Sequence, residues 1–209
     1  MPPKFKFTKP DQTVWEAPLV KERCISHGSN GGRCKRQVFI GQPYCWQHLL
    51  IEKKLKVEPS GIPGAGNGVF VRLPKPKQND RPVRAVQVIY DGTPANPGPP
   101  IVDYTGQRID SATLQARYGD YTAPYGLEVK RTNPKIFVDS ATRRGIGSLI
   151  NHPPNGRAPN VILYDGTHHN GYTSTIRAIR PIRVGDELLA DYGQDYRMPH
   201  IEGTHYSTK

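Results

Sequence analysis

The chain has 209 residues, of which 35% are hydrophobic, and a formal net charge of +11 at pH 7. This length suits one domain of moderate size plus a small appendage. No stretch approaches 18 consecutive apolar residues, and the basic start of the sequence has no apolar core of a signal peptide. We therefore expect neither a membrane-spanning helix nor an export signal.

Glycine and proline number 21 each, which favours short strands joined by turns over long helices. All three cysteines precede residue 46, and an odd, clustered count argues against a disulfide framework and for a reducing compartment. The positive charge favours acidic partners such as nucleic acid or chromatin. A solvated basic surface would explain the charge equally well.

The first part of the sequence predicts a flexible basic tail over residues 1–20 and a zinc-binding module over residues 21–57. Cys45 and His48 are three residues apart in what reads as the first turns of a helix after Pro43, so they share a face. With Cys24 and Cys34 they complete a tetrahedral zinc set. The turns that the ligands need are expected at the glycines Gly28, Gly31, Gly32 and Gly41.

The alternative is three free thiols and a surface histidine, but a segment this short cannot hold a core without a metal. The runs Gly31–Arg36 and Tyr44–His48 resemble small Cys-Cys-Cys-His zinc modules of chromatin-associated and viral proteins. Residues 1–60 hold 11 Lys and Arg against 5 Asp and Glu, a net +6, so over half of the excess charge lies in under a third of the length. This distribution motivates the hypothesis that the module contacts DNA or nucleosomes.

The segment Lys53 to Pro59 is expected to be the end of a helix that leads to a domain boundary. The main domain is expected to span residues 58–196. A glycine-rich stretch, Gly61 to Gly68, precedes the strand-like Val69-Phe70-Val71. Glycine allows the backbone to approach a ligand closely. The stretch is not a dinucleotide-binding fingerprint, which requires a strand before the glycines and a helix after them.

The remaining pattern is mainly β, with no internal repeat. A single helix is expected up to Tyr118, capped by Asp110 or Ser111 and ended by Gly119. Loops are expected at residues 73–84 and 91–100, and a turn at residues 130–135. Short strands are expected at Ala85–Tyr90, Ile101–Gly106, Tyr125–Val129, Ile136–Asp139, Val161–Tyr164, Tyr172–Ile179 and Glu187–Ala190.

Two stretches together predict a site, and the first of them has neither a strand nor a helix period. The first is Leu149 to Val161, which contains Asn151-His152-Pro153-Pro154 and Pro159-Asn160. The second is the run Glu187-Leu188-Leu189-Ala190-Asp191-Tyr192-Gly193.

These pieces, in this order, resemble the SET-domain protein lysine methyltransferases over residues 58–196. The family motifs match Gly66-Asn67-Gly68-Val69-Phe70, Asp103-Tyr104-Thr105-Gly106, Asp139-Ser140-Ala141, Ser148 to His152, Pro159-Asn160 and Gly185 to Tyr192. The resemblance implies the SET fold, which has small curved sheets, few short helices and a threaded, knot-like C-terminal region. It also implies methyl transfer from S-adenosylmethionine to a protein lysine.

Carried over residue by residue, the resemblance assigns three groups. The cofactor-binding residues are Gly66, Asn67, Gly68, Asn151 and His152. The catalytic residue is Tyr192, whose phenol would orient the lysine amine. The alternative is that Tyr192 is a buried strand tyrosine with only a structural role. Tyr104, Tyr125 and Ala190 would line the substrate channel, and a core role for the two tyrosines is equally consistent with the sequence. His152 also suits a structural role, because the family uses its main chain more than its ring.

Departures from the pattern are Pro153-Pro154 where Ser-Cys is usual, Ser148 in place of Arg, and the absence of cysteines after residue 45. A histone tail is the expected substrate and the nucleus the expected compartment, in the host if the protein is viral. The alternatives are a chromatin- or nucleic-acid-binding module with an inactive SET domain and a methyltransferase for a non-histone protein. Residues 197–209 are expected to form a C-terminal tail, and residues 194–209 include aromatic and histidine side chains that could close the channel.

Overall fold

The structure is a computed structural model that describes residues 3–28, 30–38, 44–75, 87–121, 123–129, 133–168, 171–193 and 196. Its described part is mainly β, as predicted, with two short helices, a 3-10 helix at Ile146–Leu149, and strands in small antiparallel sheets. The strands are β1 (Lys4–Thr8), β2 (Val14–Pro18), β3 (Glu22–Arg23), β4 (Gln37–Val38), β5 (Leu55–Pro59), β6 (Asn67–Val71), β7 (Val88–Tyr90), β8 (Pro100–Asp103), β9 (Gln107–Asp110), β10 (Gly126–Val129), β11 (Ile136–Asp139), β12 (Val161–His168), β13 (Gly171–Ala178) and β14 (Ile182–Arg183). The helices are α1 (Trp46–Lys53) and α2 (Ser111–Tyr118).

The first strands correct the expectation of a flexible tail over residues 1–20. β1 and β2 pair as an antiparallel hairpin, with Lys4 opposite Pro18 and Thr8 opposite Val14. Phe5 and Phe7 alternate with lysines along β1 and are buried, because they pack against the region around α2. The apolar alternation therefore holds this segment in place despite its lysines and prolines.

The Cys/His segment is joined directly to the main core. α1 ends at Lys53, the next residue, Lys54, adopts a left-handed conformation with φ 51°, and β5 follows at once. The predicted helical stretch up to Pro59 is therefore wrong, and the boundary expected at residue 58 falls inside β5. Leu49 of α1 and Leu55 of β5 are fully buried in the same cluster as the strands of the main domain.

The sheets that surround the site are short. β13 lies between β12 and β8, and β11 lies between β9 and β10. α2 follows β9 with the capping that the sequence predicts: the Asp110 carboxylate accepts a hydrogen bond of 2.7 Å from the Thr113 N–H, and Gly119 ends the helix with φ 63°. Asp139 at the end of β11 holds α2 through Arg117, at 2.7 Å, and through the Tyr118 hydroxyl.

The C-terminal part of the described chain threads between segments that are distant in sequence. The predicted strand Glu187–Ala190 is not a regular strand; instead, its residues make single bridges to three separate segments. Glu187 pairs with Phe70, Leu189 runs parallel to Asn151, and Ala190 runs parallel to Val161. This crossing agrees with the knot-like region that the resemblance implied.

Some predicted features lie wholly or partly outside the described residues. They are Gly41, Pro43, most of the loop at 73–84, the start of the strand at 85–90, the turn at 130–135 and most of the tail after residue 193. Within the residues that the structure describes, no helix is long and apolar enough to cross a membrane.

Candidate functional site

Asn151 joins two of the predicted cofactor segments. It follows the 3-10 helix, and its main-chain carbonyl accepts a hydrogen bond of 3.0 Å from the Ala190 N–H in the threaded segment. Its side-chain Nδ2 donates to the main-chain oxygen of Asn67 and to Glu187 Oε1, each at 3.1 Å. The fold therefore brings Asn67 and Asn151 into direct contact, and both N–H groups of the Asn151 amide are already used.

The two glycines of this region have different roles. A Cβ at Gly68 would lie 2.1 Å from Glu187 Oε1 and 3.2 Å from Asn151 Nδ2, so only glycine fits there. Gly66 has open space around it but a φ of 70°, which a glycine adopts without strain. Its carbonyl accepts a hydrogen bond of 2.8 Å from the Ser60 N–H, which closes the glycine loop.

The side chain of His152 makes contacts with the segment that carries Tyr192. Nδ1 accepts a hydrogen bond of 3.2 Å from the Tyr192 main-chain N–H, so a neutral His152 carries its proton on Nε2. The same nitrogen lies 3.8 Å from Asp191 Oδ1, and the ring lies 5.4 Å from that of Tyr192. The imidazole therefore fixes the backbone that presents Tyr192, which is a structural role of the kind that the sequence left open for His152.

Tyr192 directs its hydroxyl towards the main chain before the Asn-His pair. The hydroxyl donates a hydrogen bond of 2.7 Å to the Ile150 carbonyl, which leaves the lone pairs of the phenol oxygen to accept other hydrogen bonds. Burial of the ring raises the pKa of Tyr192, and the neighbouring Tyr196 and Tyr125 add to the shift. Tyr192 is therefore a neutral phenol at physiological pH.

A small apolar cavity of about 50 Å³ lies next to this hydroxyl. None of the described residues that line it is charged. Its walls include the predicted channel residues Tyr104 and Ala190 together with Tyr192 and Tyr196, and aliphatic side chains complete it: Leu127, Ile150, Leu163 and Ile176. The cavity is therefore small and mainly apolar, with Tyr192 in its wall.

Tyr125, a predicted channel residue, does not line the cavity. Its neighbours Pro124 and Gly126 do line it. Its main-chain carbonyl accepts a hydrogen bond of 2.9 Å from the Tyr104 hydroxyl. Tyr196 packs edge-on against Tyr192 with ring centroids 4.7 Å apart, and its hydroxyl lies 3.4 Å from the Pro124 carbonyl. Tyr196, which follows the Tyr192 motif closely in sequence, is therefore part of the wall.

Glu187 is the site residue to which the sequence analysis gave no role. It is 3% exposed, and its carboxylate lies against Gly68 and accepts hydrogen bonds from Ser60 and Asn151. An acid at the start of the otherwise apolar run Glu187-Leu188-Leu189-Ala190 was the signal that could have identified it.

The four predicted metal ligands converge at the N-terminal end of α1. One ligand atom from each of Cys24, Cys34, Cys45 and His48 lies within 4.8 Å of the others. His48 Nδ1 is 3.4 Å from both Cys24 Sγ and Cys45 Sγ. A tetrahedral zinc ion holds such sulfur and nitrogen ligands about 3.5 Å apart, so the donor set fits zinc in both chemistry and spacing.

The electrostatics of this cluster favour a thiolate at Cys45. Burial alone would raise the pKa of the Cys45 thiol. Hydrogen bonds from the His48 backbone, the Arg36 side chain and the Gln47 backbone outweigh burial and lower the pKa to about 6. A thiolate is the form that binds a metal, so Cys45 is ready to act as a ligand at neutral pH.

Comparison with known families identifies the fold. The SET domain family matches residues 20–193 of the chain. No curated protein sequence is significantly similar to it. The family match begins before the boundary that the sequence suggested and includes the Cys/His segment.

The chain is also similar to solved structures. One is ctPRC2 in an autoinhibited conformation bound to S-adenosylmethionine, with 19% identity, a TM-score of 0.50, and coverage of 71% of this chain and 16% of that one. Another is the Chaetomium thermophilum polycomb repressive complex 2, with 21% identity, a TM-score of 0.49, and coverage of 68% and 15%. The chain thus spans about a sixth of the length of these neighbours, and the likeness to the first supports the fold alone.

Proposed function

The chain belongs to the SET domain family, and from this premise we propose that it transfers a methyl group from S-adenosylmethionine to the side-chain amine of a protein lysine. One observation carries the proposal: the Tyr192 hydroxyl lies at an uncharged, apolar cavity and is bonded to the carbonyl of Ile150, directly before Asn151 and His152. The two halves of a transfer site, a cofactor segment and a substrate channel, are thereby adjacent.

The proposed cofactor pocket suits a cationic sulfonium compound. Gly66, Asn67, Gly68, Asn151 and His152 are the proposed binding residues, and none of them is a lysine or an arginine. The Asn67–Asn151 hydrogen bond holds the glycine loop to the Asn-His segment. When bound, S-adenosylmethionine supplies a methyl group on a positively charged sulfur, which cationic side chains would repel.

The cavity walls make the lysine amine a nucleophile. A lysine with a pKa of about 10.4 must lose its proton, which costs about 4 kcal/mol at pH 7.4. Burial of the side chain among Leu127, Ile150 and Ile176 disfavours the ammonium form and lowers that cost. The fixed walls also align the amine, which is a large part of the acceleration of a two-substrate reaction.

Tyr192 orients the amine. Its proton is committed to the Ile150 carbonyl, so its oxygen accepts from the amine and directs the nitrogen lone pair along the transfer line. The aromatic faces of Tyr104, Tyr192 and Tyr196 tolerate the positive charge of the methylated product. Ala190 leaves space beside them, which favours transfer of more than one methyl group.

We further propose that Cys24, Cys34, Cys45 and His48 bind one structural Zn²⁺ ion. The closed donor set of three sulfurs and one nitrogen leaves no position for a substrate, which is typical of a structural site. The zinc ion would fix the start of α1, where Cys45 and His48 lie.

A histone tail on chromatin is the proposed substrate, and the nucleus the proposed compartment. The net charge of +11 supports binding to DNA-rich particles. Lys35 and Arg36 of the Cys/His segment are exposed, and the Arg36 guanidinium lies over the ring of the 67% exposed Trp46. Lysine and arginine contact phosphates, and an exposed indole offers a stacking face.

The proposal is tested in two steps. Calorimetric titration should show binding of S-adenosylmethionine, and incubation with labelled cofactor and a panel of histones, nucleosomes and non-histone proteins, followed by mass spectrometry, should show a methylated lysine. Absence of cofactor binding would reject the enzyme. Binding of nucleosomes or DNA without any methylation would favour the alternative, a chromatin-binding module with an inactive SET domain. Methylation confined to the non-histone proteins would place the substrate elsewhere.

A further inference from the structure

The Cys/His segment contains a two-stranded ribbon with two different faces. β3 and β4 begin it, and their antiparallel pairing continues as far as His27, which lies opposite Arg33. Side chains alternate between the two faces of such a ribbon. The buried and half-buried side chains of one parity form its inner face, which carries two of the proposed metal ligands: Cys24, Ser26, Cys34 and Val38. The residues of the other parity form an outer face.

This outer face is basic and open. All six of its residues are exposed: Arg23, Ile25, His27, Arg33, Lys35 and Gln37. The single acid of residues 21–48 is Glu22, whose carboxylate is 3.1 Å from Arg143 of the main domain. Among the residues that the structure describes, no carboxylate oxygen lies within 4.0 Å of the three Lys and Arg side chains of the outer face. Their positive charge is therefore not neutralised by this part of the chain.

Two arginines of the outer face are held by the opposite strand. Arg23 donates to the main-chain oxygens of Cys34, at 2.9 Å, and Arg33, at 3.0 Å. Arg33 donates in return to those of Cys24, at 3.0 Å, and Arg23, at 3.1 Å. A guanidinium has five N–H donors, so each side chain has further donors for a ligand after these two bonds. The two forks are fixed in advance, which lowers the entropy that binding would cost.

We propose that the outer face of this ribbon binds the phosphate backbone of duplex DNA. Guanidinium forks match phosphate oxygens, and the major groove of B-DNA, about 12 Å wide, admits a two-stranded ribbon. An acidic protein is a poorer fit, because protein interfaces have an apolar core, whereas Ile25 is the one apolar residue of this face. The inference goes beyond the proposed function, since such binding requires neither the cofactor nor a lysine substrate.

The test measures binding of the full chain to a labelled duplex of about 20 base pairs by fluorescence anisotropy, over a series of salt concentrations. The logarithm of the affinity should fall linearly with the logarithm of the salt concentration. Arg33→Gln/Lys35→Gln should bind about 10-fold more weakly in about 0.1 M salt, the sum of two exposed ion pairs. Its salt slope should be shallower by about 1.8, because each lost phosphate contact removes about 0.9.

The matched control removes the same number of charges from another surface. In Lys4→Gln/Lys6→Gln the two lysines of β1 that pair with Glu16 are lost, and duplex affinity should stay within about twofold. Lys35→Gln alone guards against misfolding, because Lys35 makes no hydrogen bond or ion pair with another residue that the structure describes. It should weaken binding about threefold, with an unchanged Tm.

Three outcomes would overturn the proposal. They are a wild type without salt-dependent duplex binding, an equal loss in the two double variants, which would indicate net charge alone, and competition by polyglutamate as strong as that by unlabelled DNA, which would indicate an acidic protein partner. Methyl transfer to free peptides is measured on the same wild-type preparation without DNA. Its absence together with normal duplex binding would reject the proposed function and leave the DNA surface, whereas methyl transfer without duplex binding would reject only the DNA surface.

Discussion

The Tyr192 hydroxyl donates its proton to the Ile150 carbonyl, so its oxygen acts as an acceptor. Tyr192→Phe should lower the rate of methyl transfer about 100-fold, the scale of one lost hydrogen bond in a transition state, while cofactor affinity stays within about threefold. Single-turnover assays with calorimetry measure both quantities. Tyr164→Phe removes the hydroxyl of a 41% exposed tyrosine on β12 and should keep full activity. Full activity of Tyr192→Phe would remove this residue from its proposed role.

Gly68 has no room for a side chain, because Glu187 and Asn151 lie against its Cα. Gly68→Ala should displace the carboxylate, lower the free energy of unfolding by about 1–3 kcal/mol and weaken cofactor binding. Urea unfolding and calorimetry test the two effects. The control is Gly61→Ala in the same loop, where an added Cβ meets nothing within 4 Å. Equal behaviour of the two variants would contradict the packing argument.

At the scale of single residues, the sequence motifs predicted which residues lie close together. Asn67 and Asn151 do contact each other, and Tyr192 does line a cavity with Tyr104 and Ala190. Their binding and catalytic roles stay predictions. Glu187 was missed because its burial depends on Ser60, 127 positions away, and no local period reports such a contact.

The hairpin of β1 and β2 is the element that supports the wall of the channel. The Phe5 ring packs edge-on against Tyr125 with centroids 5.9 Å apart, and the Arg144 guanidinium lies over both rings. Tyr125 in turn accepts the hydrogen bond from Tyr104. The hairpin therefore holds one side of the cavity through a short chain of contacts.

Phe5→Ala should lower the free energy of unfolding by about 3 kcal/mol, because the ring is 4% exposed and leaves a cavity. The KM for a protein substrate should rise as Tyr104 loses its support, while cofactor affinity is kept. Val14→Ala, at a 57% exposed position of β2, should change stability by no more than about 0.5 kcal/mol. An unchanged KM in a folded Phe5→Ala protein would separate the hairpin from the channel.

At the scale of elements, prediction succeeded where the signals were local. α2 has its cap at Asp110 and its stop at Gly119, both visible in the sequence. β1 was not predicted, because its lysines and a following proline concealed the alternation of Phe5 and Phe7. The threaded segment was predicted as a regular strand, because its irregular pairing depends on partners that are distant in sequence.

The buried apolar residues of the described chain form three clusters, and one of them joins the helix of the Cys/His segment to the main domain. Leu49, in the helix that carries Cys45 and His48, is buried with strands of the main domain, and the Tyr90 hydroxyl donates to the Lys53 carbonyl at the end of that helix. We therefore expect the proposed metal binding to be coupled to folding of the SET domain. The sequence indicated the four ligands. It could not show that the segment packs against the main domain, because that contact joins distant parts of the chain.

This coupling predicts the effect of removing the metal. The purified protein should contain about one zinc ion per chain, and Cys24→Ser should lose it and lower the Tm of the whole domain by at least about 10 °C in a single transition. Elemental analysis and calorimetry measure the two. His27→Ala, an exposed histidine outside the ligand set, should keep both metal and Tm. A separate low-temperature transition, with the main domain unaffected, would show that the two parts are independent.

The hydrogen bond between Ser60 and Glu187 also sets an order of assembly during synthesis. Ser60, Asn67 and Gly68 leave the ribosome long before the residue 127 positions further on that completes their surroundings. Domains fold as their chain emerges, and contacts between distant residues form late. A nascent or prematurely ended chain that lacks residue 187 would contain the Cys/His segment and most strands, yet not the carboxylate that Ser60 contacts. The surroundings of the glycine loop are thus completed only after translation has passed the threaded segment.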